Sequence, residues 1–311
     1  QNSDREKITI QEDLDHHQLI VLETKIKNFQ GFEIEEKLYR EYRDGEIFAH
    51  LIGYTGKIQK NELSQNPDFY SLSDYVGKSG LEKYYEEYLR KVPGQQRIEK
   101  DVAGNVFSEE IISLPESGND LVLYLDYELQ KKITEVVKRK LEEIGNNKAV
   151  VIAMDPNTGG VLALVSLPSF DNNAFSQSRD EEIREILNND SDPLFNRAIS
   201  GIGYPTGSVI KPLIAASALQ EEVIESDRYV NCQGLIEVEH EYDEDIVYRY
   251  HDWEVHGYTD MRKAIAESCN VYFYSIGGGN KDLDIDGLGP SNIKKYLQLF
   301  GWGEKTGIDL P

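Results

Sequence analysis

The sequence predicts a mixed α/β chain, in the α+β sense of helices and sheet occurring in separate runs. Three observations predict it. A charge-rich first third ends at the breaker "PESGND" (115–120). An amphipathic helix and two strongly apolar runs follow. The remainder reads as mostly helical with loops. A length of 311 residues is enough for two domains, and the change of style sets them at 1–117 and 118–311.

Taken in order, "HHQLIVLETKIKNF" carries Leu19, Leu22, Ile26 and Phe29 at helical spacing. "GFEIEEKLYREY" alternates and then turns polar, as a strand or extended segment does. "LEKYYEEYLRK" reads as a helix. After the breaker, "LVLYL" reads as a short strand, and the helix behind it has an apolar stripe of Leu129, Ile133, Val136, Val137 and Leu141, with Gly145 to end it. "AVVIAMDPNTGGVLALVSLP" is two apolar runs joined by Asp155-Pro156-Asn157-Thr158-Gly159-Gly160, a hairpin signal. With apolar residues at consecutive positions, both strands are expected to be buried on both faces. Helices are expected at 181–188, 208–222, 260–276 and 291–300.

The net charge of −23 argues against nucleic acid and anionic lipid as partners, because both call for a basic face. Two cysteines, Cys232 and Cys269, make no CxxC, and the six histidines make no HExxH. His251 and His256 in "HDWEVHG" read as turn and packing residues, and no metal or cofactor is expected. No apolar run is long enough to span a bilayer. The start at Gln1 reads as that of a trimmed chain, so a missing anchor here does not mean a missing anchor in the parent.

"YPTGSVIKPLIAASAL" (204–219) runs from a turn into an Ala-rich buried helix, with Ser208 at its mouth and Lys211 three residues on. Positions i and i+3 share a helix face. A serine hydroxyl needs a base beside it to become a nucleophile. A lysine serves as that base once burial lowers its pKa, and Ile210, Leu213, Ile214 and Leu219 supply apolar surroundings. The free N–H groups of a helix start suit a carbonyl oxygen gaining charge. The bland alternative is a helix-start serine and a solvated lysine. The pattern also occurs at Ser291–Lys294, where Ser291 reads as the N-cap of a surface helix.

"AIAESCNVYFYSIG" adds Ser268 and Asn270, with Cys269 between them. The same S-x-N spacing at Ser64–Asn66 and Ser117–Asn119 lies in polar, loop-like sequence. At 268 it is embedded in an apolar block, where a serine and an asparagine need partners.

"NRAISGIGYPTGSVIKP", "AIAESCNVYFY" and the strand pair with its continuation "SFDNNAF" resemble, in order, three segments of class B penicillin-binding proteins. Upstream, "AHLIGYTGKI" and "YVGKSGLEKYYEEYLRKVPGQQRIEKDVAGNV" resemble the non-catalytic pedestal of the elongation-type branch. The resemblance covers nearly the whole chain. It implies a transpeptidase domain of the penicillin-binding-protein/serine β-lactamase fold behind an α+β pedestal. It implies a peptidoglycan D,D-transpeptidase: Ser208 is acylated, Lys211 is its base, Ser268 relays a proton, Asn270 holds the substrate backbone and steadies Lys211, and Cys269 is a packed spacer pointing away. Thr206 and Val209-Ile210 depart from the family's usual residues and alter the pocket wall. Implied partners are the peptidoglycan stem peptide, β-lactams and a SEDS-type glycan polymerase, on the extracytoplasmic face of a membrane reached through an N-terminal helix.

Two lures fail. "VGKSG" (76–80) lacks the first glycine of a phosphate loop, where Leu72 stands. "EKTGIDLP" (304–311) resembles the family segment behind a Phe-Gly-x-Gly turn and not its third motif, Lys-Thr-Gly on a strand. That motif is expected beyond Pro311, so the chain alone is expected to be inactive and to bind β-lactam weakly or not at all, half the oxyanion hole and one cleft wall being missing. The rival reading is a non-catalytic pseudo-transpeptidase scaffold, against which the intact Ser208, Lys211, Ser268 and Asn270 speak. A β-lactamase or penicillin sensor has no need of the 117-residue pedestal.

Overall fold

A computed structural model describes residues 10–311 apart from 12–13, 27–28, 30, 33, 35–38, 68, 72–73, 102–105, 200–202 and 241–242. It divides into two compact units, Gln1–Ser200 with Leu310–Pro311, and Gly201–Asp309.

The first unit opens with α1 (His16–Lys25), started by a capping box between Asp15 and Gln18. Residues 33 and 35–38 of the expected extended segment lie outside the described residues; the rest of 31–42 forms no strand. Next come α2 (Gly45–Ile52), β1 (Thr55–Lys57), α3 (Lys60–Gln65) and β2 (Tyr75–Gly77), with β1 and β2 paired antiparallel. The helix expected over 81–91 is broken at Tyr85 into α4 (Gly80–Tyr84) and α5 (Glu86–Leu89). A hairpin not foreseen follows, β3 (Gln95–Lys100) and β4 (Val106–Ser113). Its side chains are mostly exposed, Val106, Phe107, Ile111 and Ile112 among them, and charged residues interrupt any apolar run that would announce it.

The strand expected at "LVLYL" does not form. Residues 121–125 have no ladder partner among the described residues, with a bend at Tyr124, and Val122 is 92% exposed. The helix behind them is α6 (Tyr127–Ile144). Asp126 accepts the Leu129 N–H at its start, and Gly145 closes it in the left-handed conformation that glycine adopts freely. Ile133, Val137 and Leu141 pack on the hairpin β5 (Ala149–Met154) and β6 (Val161–Leu167), touching Val165 and Leu167. Asp155 shapes the turn by accepting the Asn157 N–H and the Thr158 hydroxyl. Burial on both faces holds for β6, where Ala163 through Leu167 are at most 3% exposed. It fails for β5, whose Ile152 and Met154 point away from α6 and are exposed. Gln130, fully buried, staples α6 to its neighbours. Its amide nitrogen donates to the carbonyls of Ile47 and Leu164, and its oxygen accepts the Leu164 N–H. Two short helices, α7 (Asn173–Ser176) and the expected α8 (Asp180–Leu187), complete the unit.

The second unit begins with a 3-10 turn, Gly207–Ile210, that runs into α9 (Lys211–Gln220). The region expected to be mostly helical then contains four strands: β7 (Val230–Cys232), β8 (Leu235–His240), β9 (Asp243–His251) and β10 (Gly257–Thr259). They pair as two antiparallel ladders, β8 with β9 and β7 with β10. The helix expected over 260–276 is two helices, α10 (Met261–Ala266) and α11 (Asn270–Gly278), and α12 (Gly289–Leu299) follows. Ser291 is not the N-cap. Leu288 holds that place, with Pro290 in the first turn. The core of the unit is apolar contact between α9 and α11, with Ile214, Ala218, Tyr272 and Ile276 at its centre. No described helix is long and apolar enough to cross a membrane.

Candidate active site

Ser208 lies in the 3-10 turn and Lys211 is the first residue of α9. In a 3-10 turn residues three apart eclipse one another, so the two side chains leave on the same side. Ser208 is exposed, while Lys211 is only 8% exposed. Burial penalises the charged ammonium and lowers the Lys211 pKa from the usual lysine value, partly opposed by the nearby Asp252 and Cys269.

The break between α10 and α11 supplies the partners. Ser268 sits there at φ 55, in the left-handed region that a non-glycine residue occupies only under constraint. The twist turns both its carbonyl and its hydroxyl toward Lys211. Lys211 Nζ donates to the Ser268 carbonyl (2.7 Å), the Ser268 hydroxyl (3.0 Å) and Asn270 Oδ1 (2.6 Å). The Ser268 hydroxyl in turn donates to Ser208 Oγ at 2.8 Å. The four residues singled out in the sequence therefore converge, and Ser268 stands between Ser208 and Lys211. Nζ also lies 5.4 Å from the Phe273 ring.

Behind the turn is a layer that the sequence motifs did not reveal. The Asp252 carboxylate is buried. Burial opposes its charge, but the N–H groups of Val271 and Trp253 outweigh that and hold its pKa below the usual range. Trp253 donates its indole N–H to the Ser268 carbonyl at 3.3 Å. His256 Nδ1 pairs with Glu267 Oε2 at 3.1 Å. Cys269 is fully buried in the core as the N-cap of α11, and its sulfur accepts the Tyr272 N–H. The Cys232 thiol beside it and its burial push its pKa well above the thiol range, so it is not a nucleophile.

His256 has more than a packing role available to it. Ligand atoms of Asp252, His256 and Cys269 all lie within 4.8 Å of one another, and the Nε2 of His256 is buried without a hydrogen-bond partner. Cys232 Sγ is 2.9 Å from Cys269 Sγ. Sulfur, nitrogen and oxygen donors in this number could hold a zinc-like cation. Asp252 and His256 lie four residues apart inside "HDWEVH" and Cys269 follows thirteen residues later; that run is the cue in the sequence, read there as turn and packing residues.

The lures lie elsewhere. The Ser64 hydroxyl bonds the Asn61 carbonyl at α3, and Asn119 bonds the Tyr88 carbonyl. Lys78 of "VGKSG" is paired with Glu62. Residues 304–311 form no strand.

Residues 1–123 match the penicillin-binding protein dimerisation domain and residues 149–311 the penicillin binding protein transpeptidase domain. The chain is 35% identical to a peptidoglycan D,D-transpeptidase MrdA of Acinetobacter baumannii over 93% of its length, and 32% identical to that of Escherichia coli K12 over 91%. It spans only 40% and 42% of those two relatives. Among solved structures, PBP2 of Helicobacter pylori in complex with MreC is similar with a TM-score of 0.75 at 27% identity, over 95% of this chain and 51% of that one. PBP2 of Pseudomonas aeruginosa in complex with WCK 5153 gives 0.65 at 27% identity, over 89% and 53%. The mixed helix-and-strand fold, with a dimerisation region ahead of a transpeptidase region, is the one expected from the sequence. With the transpeptidase match covering more than half its length, this chain belongs to the penicillin-binding protein transpeptidase family.

Proposed function

We propose that the chain is the serine-acylating part of a peptidoglycan D,D-transpeptidase, with 1–117 as pedestal and 118–311 as transpeptidase region. One observation carries the reading: a continuous path from Ser208 Oγ to Ser268 Oγ (2.8 Å) to Lys211 Nζ (3.0 Å), with Asn270 fixing the amine. Neutral Lys211 takes the Ser208 proton by way of the Ser268 hydroxyl. Ser208 Oγ bonds to the carbonyl carbon of the penultimate D-Ala of a stem peptide. The N–H groups at the start of the 3-10 turn are donors for the oxygen that becomes negative. The C–N bond to the terminal D-Ala breaks, and its nitrogen recovers the proton from Lys211 through Ser268. The amine of a second stem then attacks the ester, yields its proton along the same path and frees Ser208. A β-lactam is attacked in the same way, but its leaving nitrogen stays tethered. No cofactor enters these steps.

Solved relatives described as a complex with MreC and as a peptidoglycan synthase complex support a place in a wall-synthesis assembly with a SEDS-type polymerase. That assembly lies on the extracytoplasmic side of a membrane, reached through an anchor N-terminal to these residues. The intact path weighs against a pseudo-transpeptidase scaffold.

Mass spectrometry after incubation with a β-lactam is expected to show one acyl adduct, slow to form, on the peptide holding Ser208. Ser208→Ala abolishes it. An adduct that survives Ser208→Ala, or one carried by any other residue, overturns the reading.

A further inference from the structure

We propose that Trp253 is a positioning residue for the Lys211–Ser268 pair, anchoring the Ser268 carbonyl through its indole N–H. The inference rests on the transpeptidase reading.

The Ser268 carbonyl accepts two donors, Lys211 Nζ at 2.7 Å and Trp253 Nε1 at 3.3 Å, as many as its two lone pairs can serve. Ser268 occupies the left-handed region at φ 55, a conformation that persists only when its surroundings over-determine it. Its carbonyl and its hydroxyl belong to one residue, so a rotation that relaxes the peptide carries the hydroxyl away from both Ser208 and Lys211. Lys211 alone is a poor anchor. Its stem is flexible, and in the reaction its amine changes charge, so its hold on the carbonyl changes at the step where the geometry matters most. An indole N–H does not titrate and donates throughout.

Trp253 is itself tied to the frame of α11. Its backbone N–H donates to Asp252 Oδ1 at 2.9 Å, and the other carboxylate oxygen takes the Val271 N–H at 2.9 Å. The ring stands edge-on to His256, with centroids 5.3 Å apart. Around Lys211 Nζ, Asn270 Oδ1 accepts from the amine at 2.6 Å and the centre of the Phe273 ring lies 5.4 Å from it. Trp253 is also 64% exposed, a large aromatic that contributes little to the core, so replacing it leaves no core cavity.

The test compares the chain with Trp253→Phe, which keeps an aromatic ring, and with benzothienylalanine at 253, which exchanges only the N–H for sulfur. A β-lactam time course at several concentrations separates the acylation rate constant from the preceding dissociation constant. Both variants are expected to lose about 5- to 20-fold in the rate constant, as loss of one hydrogen bond to the reacting machinery does, with the dissociation constant within about twofold. The final acylated fraction is unchanged, which a merely unfolded population would reduce. An unchanged rate constant, or a loss confined to binding, overturns the proposal. The amide NMR signals of Ser268, Cys269 and Asn270 give a readout independent of activity: they shift or broaden in both variants if Trp253 holds the turn, and unmoved signals overturn its role. If the unsubstituted chain is never acylated, these amide signals alone decide whether Trp253 positions Ser268.

Discussion

Lys211 is surrounded so that each hydrogen of its ammonium has an acceptor, yet it is buried enough for the charge to be disfavoured. The balance favours the neutral amine at a lower pH than for a free lysine. Acylation is therefore expected to rise with pH along a limb whose midpoint lies below the ordinary lysine value of about 10.5. A rate profile by mass spectrometry checks this, and a midpoint at or above that value removes Lys211 from the role of base. Ser208 with Lys211, and Ser268 with Asn270, were legible in the sequence as two short-spaced pairs with apolar flanks, but each pattern recurs elsewhere in the chain, and what singled out these copies was the family resemblance of the segments around them. Trp253 and Asp252 were not. Each acts through one hydrogen bond or a few, on a residue more than a dozen positions away, and no periodicity records such a contact.

At the scale of elements, the same difference between local and distant signals recurs. Helix α6 and the hairpin β5–β6 were readable, because an apolar stripe, a glycine stop and a turn sequence all lie within one window. The exposed hairpins β3–β4 and β8–β9 were missed, although "LIEVEH" does alternate, because charged residues mask a strand that buries little. The continuous helix expected over 260–276 is interrupted at Ser268, although "AIAESCNVYFY" contains no proline or glycine to end it. Buried side-chain staples escape any pattern. Gln130 makes three hydrogen bonds to backbone groups of α2 and β6. Gln130→Ala opens a cavity and orphans those groups, and is expected to destabilise the first unit by about 2–4 kcal/mol in denaturant unfolding. A change under about 0.5 kcal/mol would mean that the staple is ornamental.

Across the whole chain, 56 acidic residues face 33 basic ones. Ion pairs on the surface, such as Arg97–Glu110 and Arg249–Glu237, are too exposed to contribute much. Self-repulsion is then the main long-range electrostatic effect on stability. Raising sodium chloride from about 0.01 to 0.3 M shortens the screening length from about 30 Å to below about 8 Å and is expected to raise the melting temperature by a few degrees. A fall on adding salt would show that the surface pairs prevail. The left-handed residue at 268 sets a different kind of demand. Among the amino acids a ribosome can install, only the achiral one rests at that backbone angle without strain, and it has no oxygen to offer. For as long as the chemistry wants a hydroxyl there, the turn keeps a penalty of roughly 1–2 kcal/mol, and every tolerated substitution elsewhere in this protein has to leave at least that reserve standing.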